Sequence, residues 1–135
     1  KGGGLVEPEV DLLLSVKKLL KSIQIPVYDL GQQRLEKFPQ IIVYLQNEQE
    51  ITDLKVMDCV KATIGVDVYV DITQQGKSLM IGRKVANLMQ RLKLSEWPLR
   101  YSDYSMRPIV DTSLQSRTLY RLAFLFDYFI YGKKG

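Results

Sequence analysis

The sequence contains no histidine and only one cysteine, and these absences exclude several kinds of chemistry. Without an imidazole, the chain cannot form a Ser-His or Cys-His nucleophile pair, or a metal site built on histidine ligands. The single thiol, Cys59, excludes an internal disulfide and a cluster of cysteine ligands, and we interpret it as a packing or surface residue. We therefore predict that the protein is not an enzyme and uses no cofactor or metal ion.

Long hydrophobic runs are also missing. No stretch approaches the roughly 20 apolar residues of a membrane-spanning helix, and no signal-peptide pattern opens the chain, so we expect no membrane partner. With 135 residues, of which 46% are hydrophobic and 25% charged, the chain has the size and composition of one globular domain. We expect a single domain over residues 5–131, with flexible ends at 1–4 and 132–135.

The net charge of +4 is distributed unevenly along the chain. Residues 1–67 carry 8 basic and 10 acidic side chains, whereas residues 68–135 carry 11 and 5. The basic residues of the second half are scattered, which argues against a dedicated reader of nucleic-acid sequence. Two interpretations stay open: a solvated basic surface, or a surface that contacts phosphate or an acidic protein.

The spacing of apolar residues predicts two helices. The first begins at Pro8, between two acidic residues, and continues to residue 23, because Pro26 prevents its extension. The second covers residues 78–92, where apolar side chains recur every three or four positions. The outward side of this second helix is basic and carries Arg83, Lys84 and Arg91.

Alternating or β-branched apolar residues predict strands in six segments. They are residues 27–30, 40–45, 60–72, 99–101, 108–110 and 120–130. The pattern of the third begins already at Leu54, which is too long for an ordinary strand, so we expect a break. Asp58 interrupts the apolar set, and Gly65 is a candidate bulge or bend. Gln46–Glu50 is predicted to be a polar, acidic loop.

Two helices and about five strands that do not alternate regularly predict an α+β fold. We expect a mostly antiparallel, mixed sheet of about five strands, with both helices packed on one face.

Two short patterns resemble chemical motifs but lack essential parts. Gly76-Lys77-Ser78 matches the end of a phosphate-binding loop, but position 71, where the first glycine belongs, is Asp71, so we interpret the segment as a helix start. Asp67 and Asp71 share one strand face about 13 Å apart, too far for paired catalytic carboxylates or a single metal ion. We interpret both as solvated side chains.

The order of these elements resembles a known family. With the strings Phe38-Pro39-Gln40-Ile41-Ile42-Val43 and Val66-Asp67-Val68-Tyr69-Val70-Asp71, the chain is similar to the tail-completion proteins of long-tailed bacteriophages (siphophages). These proteins are also called tail terminators or head-to-tail joining proteins, and the layout is similar to that of the phage lambda protein. The resemblance extends from about Val10 to Ile130.

The resemblance implies a structural virion protein that assembles as a ring, expected to be a hexamer, on the last ring of the tail tube protein. Such a ring stops tube polymerisation and joins the head completion or connector protein, and double-stranded DNA passes through it without sequence-specific binding. The implied location is the head-tail interface of the virion, after assembly in the host cytoplasm. Another tail or neck component of related fold is the alternative.

A closed ring needs complementary surfaces on opposite sides of each subunit. The acidic segment and the basic helix face carry opposite charges, and we expect them to contribute to subunit or ring-to-tube contacts. The candidate interface residues are Asn47, Glu48, Gln49, Glu50, Arg83, Lys84 and Arg91. The alternative is that both surfaces are merely solvated. Two other functions rank lower: a small basic nucleic-acid-binding module, and a hydrolase that uses carboxylates alone.

Overall fold

The computed structural model of the protein describes residues 6–34, 36–51 and 59–132. In chain order, the elements are α1 (Pro8–Leu20), β1 (Val27–Asp29), β2 (Gln40–Ile51), β3 (Cys59–Asp71), α2 (Gln75–Met89), β4 (Leu99–Asp111) and β5 (Leu119–Tyr131). Short 3-10 turns follow α1 and precede α2. The predicted flexible ends, apart from Gly132, and the first part of the long alternating pattern lie outside the described residues.

The five strands form one mixed sheet in the order β1-β2-β3-β5-β4. Only β1 and β2 pair in parallel, and the other three neighbouring pairs are antiparallel. The register aligns Ile41, Val68 and Leu122 in one row across the sheet, and these three side chains are buried. The predicted α+β class, with about five strands and two helices, is confirmed.

Both helices cover the same face of the sheet and share one core with it. α1 buries Leu12, Val16 and Leu20 at three-to-four spacing, as an amphipathic helix does. α2 lies close to the sheet at Gly82, because a Cβ atom added there would come within 2.9 Å of the Leu122 side chain. The predicted helices are therefore confirmed, although α2 begins and ends about three residues earlier than expected.

For the exposed strands, one prediction is wrong and one is incomplete. Gln46–Glu50 is not a loop, because β2 continues through it to Ile51 after a register shift between Leu45 and Asn47. The weak strands at 99–101 and 108–110 are parts of one strand, β4. Both segments are largely exposed and have a strand on only one side among the described residues, so they do not need a strict apolar alternation.

The prediction of a bend at Gly65 is also wrong, since β3 continues through it without a register shift against β5. An added Cβ atom at Gly65 would overlap the aromatic ring of Tyr44. The glycine thus leaves space for this ring to lie on the sheet face that the helices do not cover.

Of the two aspartates of β3, Asp67 is not solvated as predicted, whereas Asp71 is partly exposed. Asp67 is only 3% exposed, and its Oδ2 atom lies 3.1 Å from Nη2 of Arg121 on β5. Burial raises the pKa of Asp67, and the Arg121 guanidinium opposes this shift. Asp71 accepts hydrogen bonds from Thr73 and Arg117, which hold its pKa at about 2. Both carboxylates therefore have structural roles.

Candidate assembly interface

The four predicted interface residues of the acidic segment, Asn47–Glu50, lie on the second half of β2, and all four side chains are exposed. Glu48 pairs with Ala62 and Glu50 with Val60, which places both carboxylates on the face of the sheet that carries the helices. Asn47 and Gln49 point to the opposite face. The segment therefore presents its negative charge on one side only.

Glu48 belongs to an acidic cluster formed with residues at the start of α1. The adjacent Glu9 carboxyl, followed by partial desolvation and repulsion from Glu50 and Glu7, raises the pKa of Glu48 to about 7. The Oε1 atom of Glu9 is buried without a hydrogen-bond partner among the described residues. The ion pairs found in the described part of the chain involve other carboxylates. We call Glu7, Glu9, Glu48 and Glu50 the acidic cluster; none of them forms an ion pair with a basic side chain among the described residues.

The edge of β2 is open beside this cluster. β1 pairs only with Ile41–Val43, so Tyr44–Ile51 has no strand on that side among the described residues. An apolar depression of about 390 Å³ adjoins the open edge, and its lining includes Val10, Leu14 and Leu30, which are 45%, 53% and 61% exposed. We call Tyr44–Ile51 the β2 edge.

The predicted basic residues separate into three places. Arg83 lines a groove between α2 and β4. The next residue, Lys84, is exposed and does not line this groove. Arg91 lies beyond the end of α2 and lines a different cavity, together with Lys18 and Lys93. The structure therefore does not unite the three cations in one patch.

The groove between α2 and β4 has a volume of about 320 Å³ and is mainly apolar. Leu122 and Phe124 of β5 form its floor, while Leu79 and Arg83 of α2 line one wall. On the other wall are the β4 side chains Tyr104 and Met106, which are 42% and 39% exposed. The Tyr104 ring stacks on Phe126 at a centroid distance of 5.2 Å. We call this feature the α2/β4 groove.

The α2/β4 groove is not predicted from the sequence, because the predicted strands do not include residues 102–107 of β4. A signal was present, since apolar side chains alternate with polar or charged ones at Tyr104, Met106 and Pro108. β4 has β5 as its only strand neighbour among the described residues, so its other edge is open along Leu99–Asp111.

The β2 edge and the α2/β4 groove lie on opposite sides of the same subunit. β3 and β5 separate β2 from β4, while the carboxylates of the acidic cluster and the groove both belong to the helix-covered face. The two candidate surfaces therefore cannot meet within one molecule.

This fold has counterparts among solved proteins. No protein-family model and no curated protein sequence matches the chain. The chain is similar to a chain in the solved structure titled "Virion of native gene transfer agent (GTA) particle", with a TM-score of 0.61 and 16% identity. The similarity covers 94% of this chain and all of that chain. A second solved chain has a TM-score of 0.55 and 11% identity, with 94% of each covered. These similarities establish a shared fold.

The candidate chemical motifs have structural explanations. Gly76-Lys77-Ser78 lies in the first turn of α2, where the Ser78 hydroxyl donates to the carbonyl of Gln75.

Asp11 joins α1 to the segment before β4, because its carboxylate accepts hydrogen bonds from Ser95 and Glu96. Burial raises the pKa of Asp11, but these hydrogen bonds bring it below its usual value. The described residues contain no group of three or more side chains arranged to bind a metal. None of their helices has the length and hydrophobicity to cross a membrane.

Cys59, which was interpreted as a packing or surface residue, is 4% exposed at the start of β3. Burial raises the pKa of its thiol. A thiol with a raised pKa is a poor nucleophile at neutral pH, so a packing role explains this residue.

Proposed function

We propose that the protein is a structural virion component that forms a ring, most simply a hexamer, on the last ring of a phage tail tube. The ring stops tube polymerisation and joins the tail to the head connector. The observation that carries this proposal is the fold similarity to a chain of a gene transfer agent virion, which extends over the whole of that chain. The resemblance in element order to tail-completion proteins supports the same assignment.

The distribution of open sheet edges also supports a ring. A subunit with complementary surfaces on opposite sides joins its neighbours head to tail, and such contacts close into a ring when the rotation between subunits permits. The β2 edge and the α2/β4 groove are two such surfaces. We treat residues 5–131 as the single domain that forms this subunit.

We further propose that the helix-free face of the sheet lines the channel for double-stranded DNA. On β4 and β5 this face carries basic and acidic side chains in equal number: Arg100, Arg107 and Arg121, and Asp103, Asp111 and Asp127. A channel that conducts DNA must not hold it strongly, and a surface of mixed charge provides little net attraction to phosphate. A ring that joins the tail tube to the head connector would lie at the head-tail interface of the virion.

The test is electron microscopy of the purified protein mixed with tail tubes that lack their completion ring. We expect ring-shaped density at one end of each tube, and arrest of elongation when tube protein is added in excess. A parallel sample with a small basic protein of similar charge controls for non-specific adsorption. Tubes that keep growing and remain bare at both ends in excess protein would contradict the proposal.

The basic second half of the chain favours nucleic-acid binding as a second candidate function. A DNA titration at several salt concentrations separates the two. The ring function predicts weak binding without sequence preference. Submicromolar affinity with a steep salt dependence would instead favour a nucleic-acid-binding module.

A further inference from the structure

Two features of the subunit are incomplete when it is alone. On one side, the β2 edge has no strand partner among the described residues and lies beside the acidic cluster and the exposed Val10 and Leu14. On the other side, β4 exposes its outer edge beside the apolar α2/β4 groove. Exposed strand edges are sites where another chain can pair, and natural proteins usually protect them.

The strand directions allow these two sides to pair with each other. β4 runs antiparallel to β2 within the subunit, because the intervening pairs β2-β3, β3-β5 and β5-β4 are all antiparallel. A second copy rotated about an axis inclined to the strands, as in closed barrels with tilted strands, therefore presents its β2 antiparallel to β4 and displaced along it. The displacement is needed because the register places Glu48 level with Tyr101, beyond the groove residues Tyr104 and Met106. In this arrangement the helices of both copies lie on the same side of the extended sheet.

The charges on that side are complementary. Glu48 and Glu50 of the second copy lie on its helix-covered face, and this face adjoins the α2/β4 groove, whose charged lining residue is Arg83. The described part of the chain contains no ion pair that involves Arg83 or the acidic cluster. The guanidinium would place positive charge near carboxylates that otherwise repel one another.

The apolar residues of the two sides also correspond. Leu79, Tyr104 and Met106 of the groove are exposed in one copy, and Val10 and Leu14 are exposed beside the β2 edge of the other. Contact between these side chains would remove apolar surface from water, which favours association.

We propose that the α2/β4 groove binds the β2 edge of a second copy of this chain, with antiparallel pairing of β4 and Tyr44–Ile51 and with Arg83 facing the acidic cluster. This inference rests on the proposed function, because it supplies the subunit contact of the ring. The contact is heterologous: each subunit uses its groove for one neighbour and its β2 edge for the other.

Mixing two variants, each defective on one side, tests this inference. The groove variant is Met106→Asp, with Arg83→Glu as a second version on the helix wall. The edge variant carries Glu48→Lys and Glu50→Lys. We expect the wild type to form higher oligomers as concentration rises, and each variant alone to self-associate at least about tenfold more weakly, since lost or repulsive interface charges readily change affinity by that factor.

An equimolar mixture should associate again, with a 1:1 heterodimer as its smallest product, because the pair retains one intact groove and one intact edge. Larger species can also form, since the new carboxylate of each groove variant is opposite in charge to the lysines of the edge variant. Sedimentation velocity and native mass spectrometry measure the species, and circular dichroism verifies that each variant is folded. Lys84→Glu is the matched control: it makes the same charge change one residue away, outside the groove, and should associate like the wild type.

Three results would overturn the inference: a wild type that stays monomeric up to millimolar concentration, a mixture without heterodimers, or equal loss of association in Lys84→Glu and Arg83→Glu. The tube-capping experiment is independent of them. Capping without heterodimers means that the ring forms through another surface. Heterodimers without capping support the contact and contradict the tail function.

Discussion

The hydroxyl of Tyr128 donates a hydrogen bond to the carbonyl oxygen of Met89 at 2.7 Å and so joins β5 to the last residue of α2. Tyr128 is fully buried, and burial followed by repulsion from Tyr101 raises the pKa of its phenol. The bond satisfies a carbonyl at the helix end, where intrahelical partners are missing. It thereby ties α2, one wall of the proposed groove, to the centre of the sheet.

Replacing Tyr128 with phenylalanine should destabilise the protein by about 0.5–1.5 kcal/mol, because the ring still fills its site while the Met89 carbonyl keeps only its longer hydrogen bond, 3.4 Å, from the Leu92 N–H. Urea unfolding at pH 7 measures the difference. Tyr101→Phe is the control, since the Tyr101 ring contacts Tyr128 edge-on but its hydroxyl makes no hydrogen bond with the described residues. Equal losses in both variants would contradict the role of the hydroxyl.

Removing Arg121 should destabilise the protein by about 3–5 kcal/mol at pH 7, because Asp67 would remain as a buried charge without its partner. Burial already raises the pKa of Asp67. A group whose pKa is raised on folding stabilises the protein below its unfolded pKa and loses that contribution as the pH rises.

The loss in Arg121→Met should therefore shrink in acid, where Asp67 is protonated and neutral. Guanidinium unfolding of wild type and variant at pH 3.5 and 7 measures this change. The double variant Asp67→Leu/Arg121→Met should recover much of the stability at pH 7, since it leaves no buried charge. A loss that is independent of pH would argue that Arg121 acts by packing alone.

Glu48→Gln should be more stable than the wild type at pH 8 and similar to it at pH 4. The pKa of Glu48 is raised to about 7 by its contact with Glu9 and by burial, so the wild type is stabilised by the protonated carboxyl below pH 4.5 and loses this contribution as the pH approaches 7. Glutamine removes the titration. Thermal unfolding across this range measures the effect, and Glu9→Gln should change stability in the same direction.

An NMR titration of Glu48 tests the cause of that effect directly. Its carboxyl signal should shift with a midpoint well above that of an ordinary glutamate, and in Glu9→Gln the midpoint should fall. An ordinary midpoint in the wild type would mean that the Glu9 carboxyl does not raise the pKa of Glu48.

Gly65→Ala should destabilise the protein by about 1–3 kcal/mol, because the added methyl group occupies the place of the Tyr44 ring. Tyr44→Ala alone should also be destabilising, since it uncovers the sheet. In the double variant the methyl group has space, so the two losses should be less than additive in denaturant unfolding. Additive losses would show that the ring and the glycine are independent.

Sequence periodicity was sufficient where a segment is buried on one face. α1, α2, β3 and β5 all have strong apolar patterns because each packs against the common core, and their predicted positions agree with the structure to within a few residues. The pattern fails in the outer half of β2 and in β4. There each strand forms backbone hydrogen bonds to one neighbour and its side chains face water. Its residues therefore do not need to alternate between apolar and polar, and the sequence does not reveal the strand.

The candidate interface shows the same division. Charge alone makes Glu48 and Arg83 candidate interface residues, because clusters of one sign are visible along the chain. Tyr104 and Met106, which form a wall of the groove, were missed because their role depends on α2 lying beside β4.

By itself, the sequence determined which chemistry is absent and which segments are amphipathic, since both follow from residue type and local spacing. Only the tertiary structure decided that Asp67 is buried against Arg121, and that the acidic cluster and the α2/β4 groove lie at opposite edges of one sheet. These features arise from pairing between strands that are far apart in the chain. The order β1-β2-β3-β5-β4 leaves β4 at an edge, and that placement creates the groove.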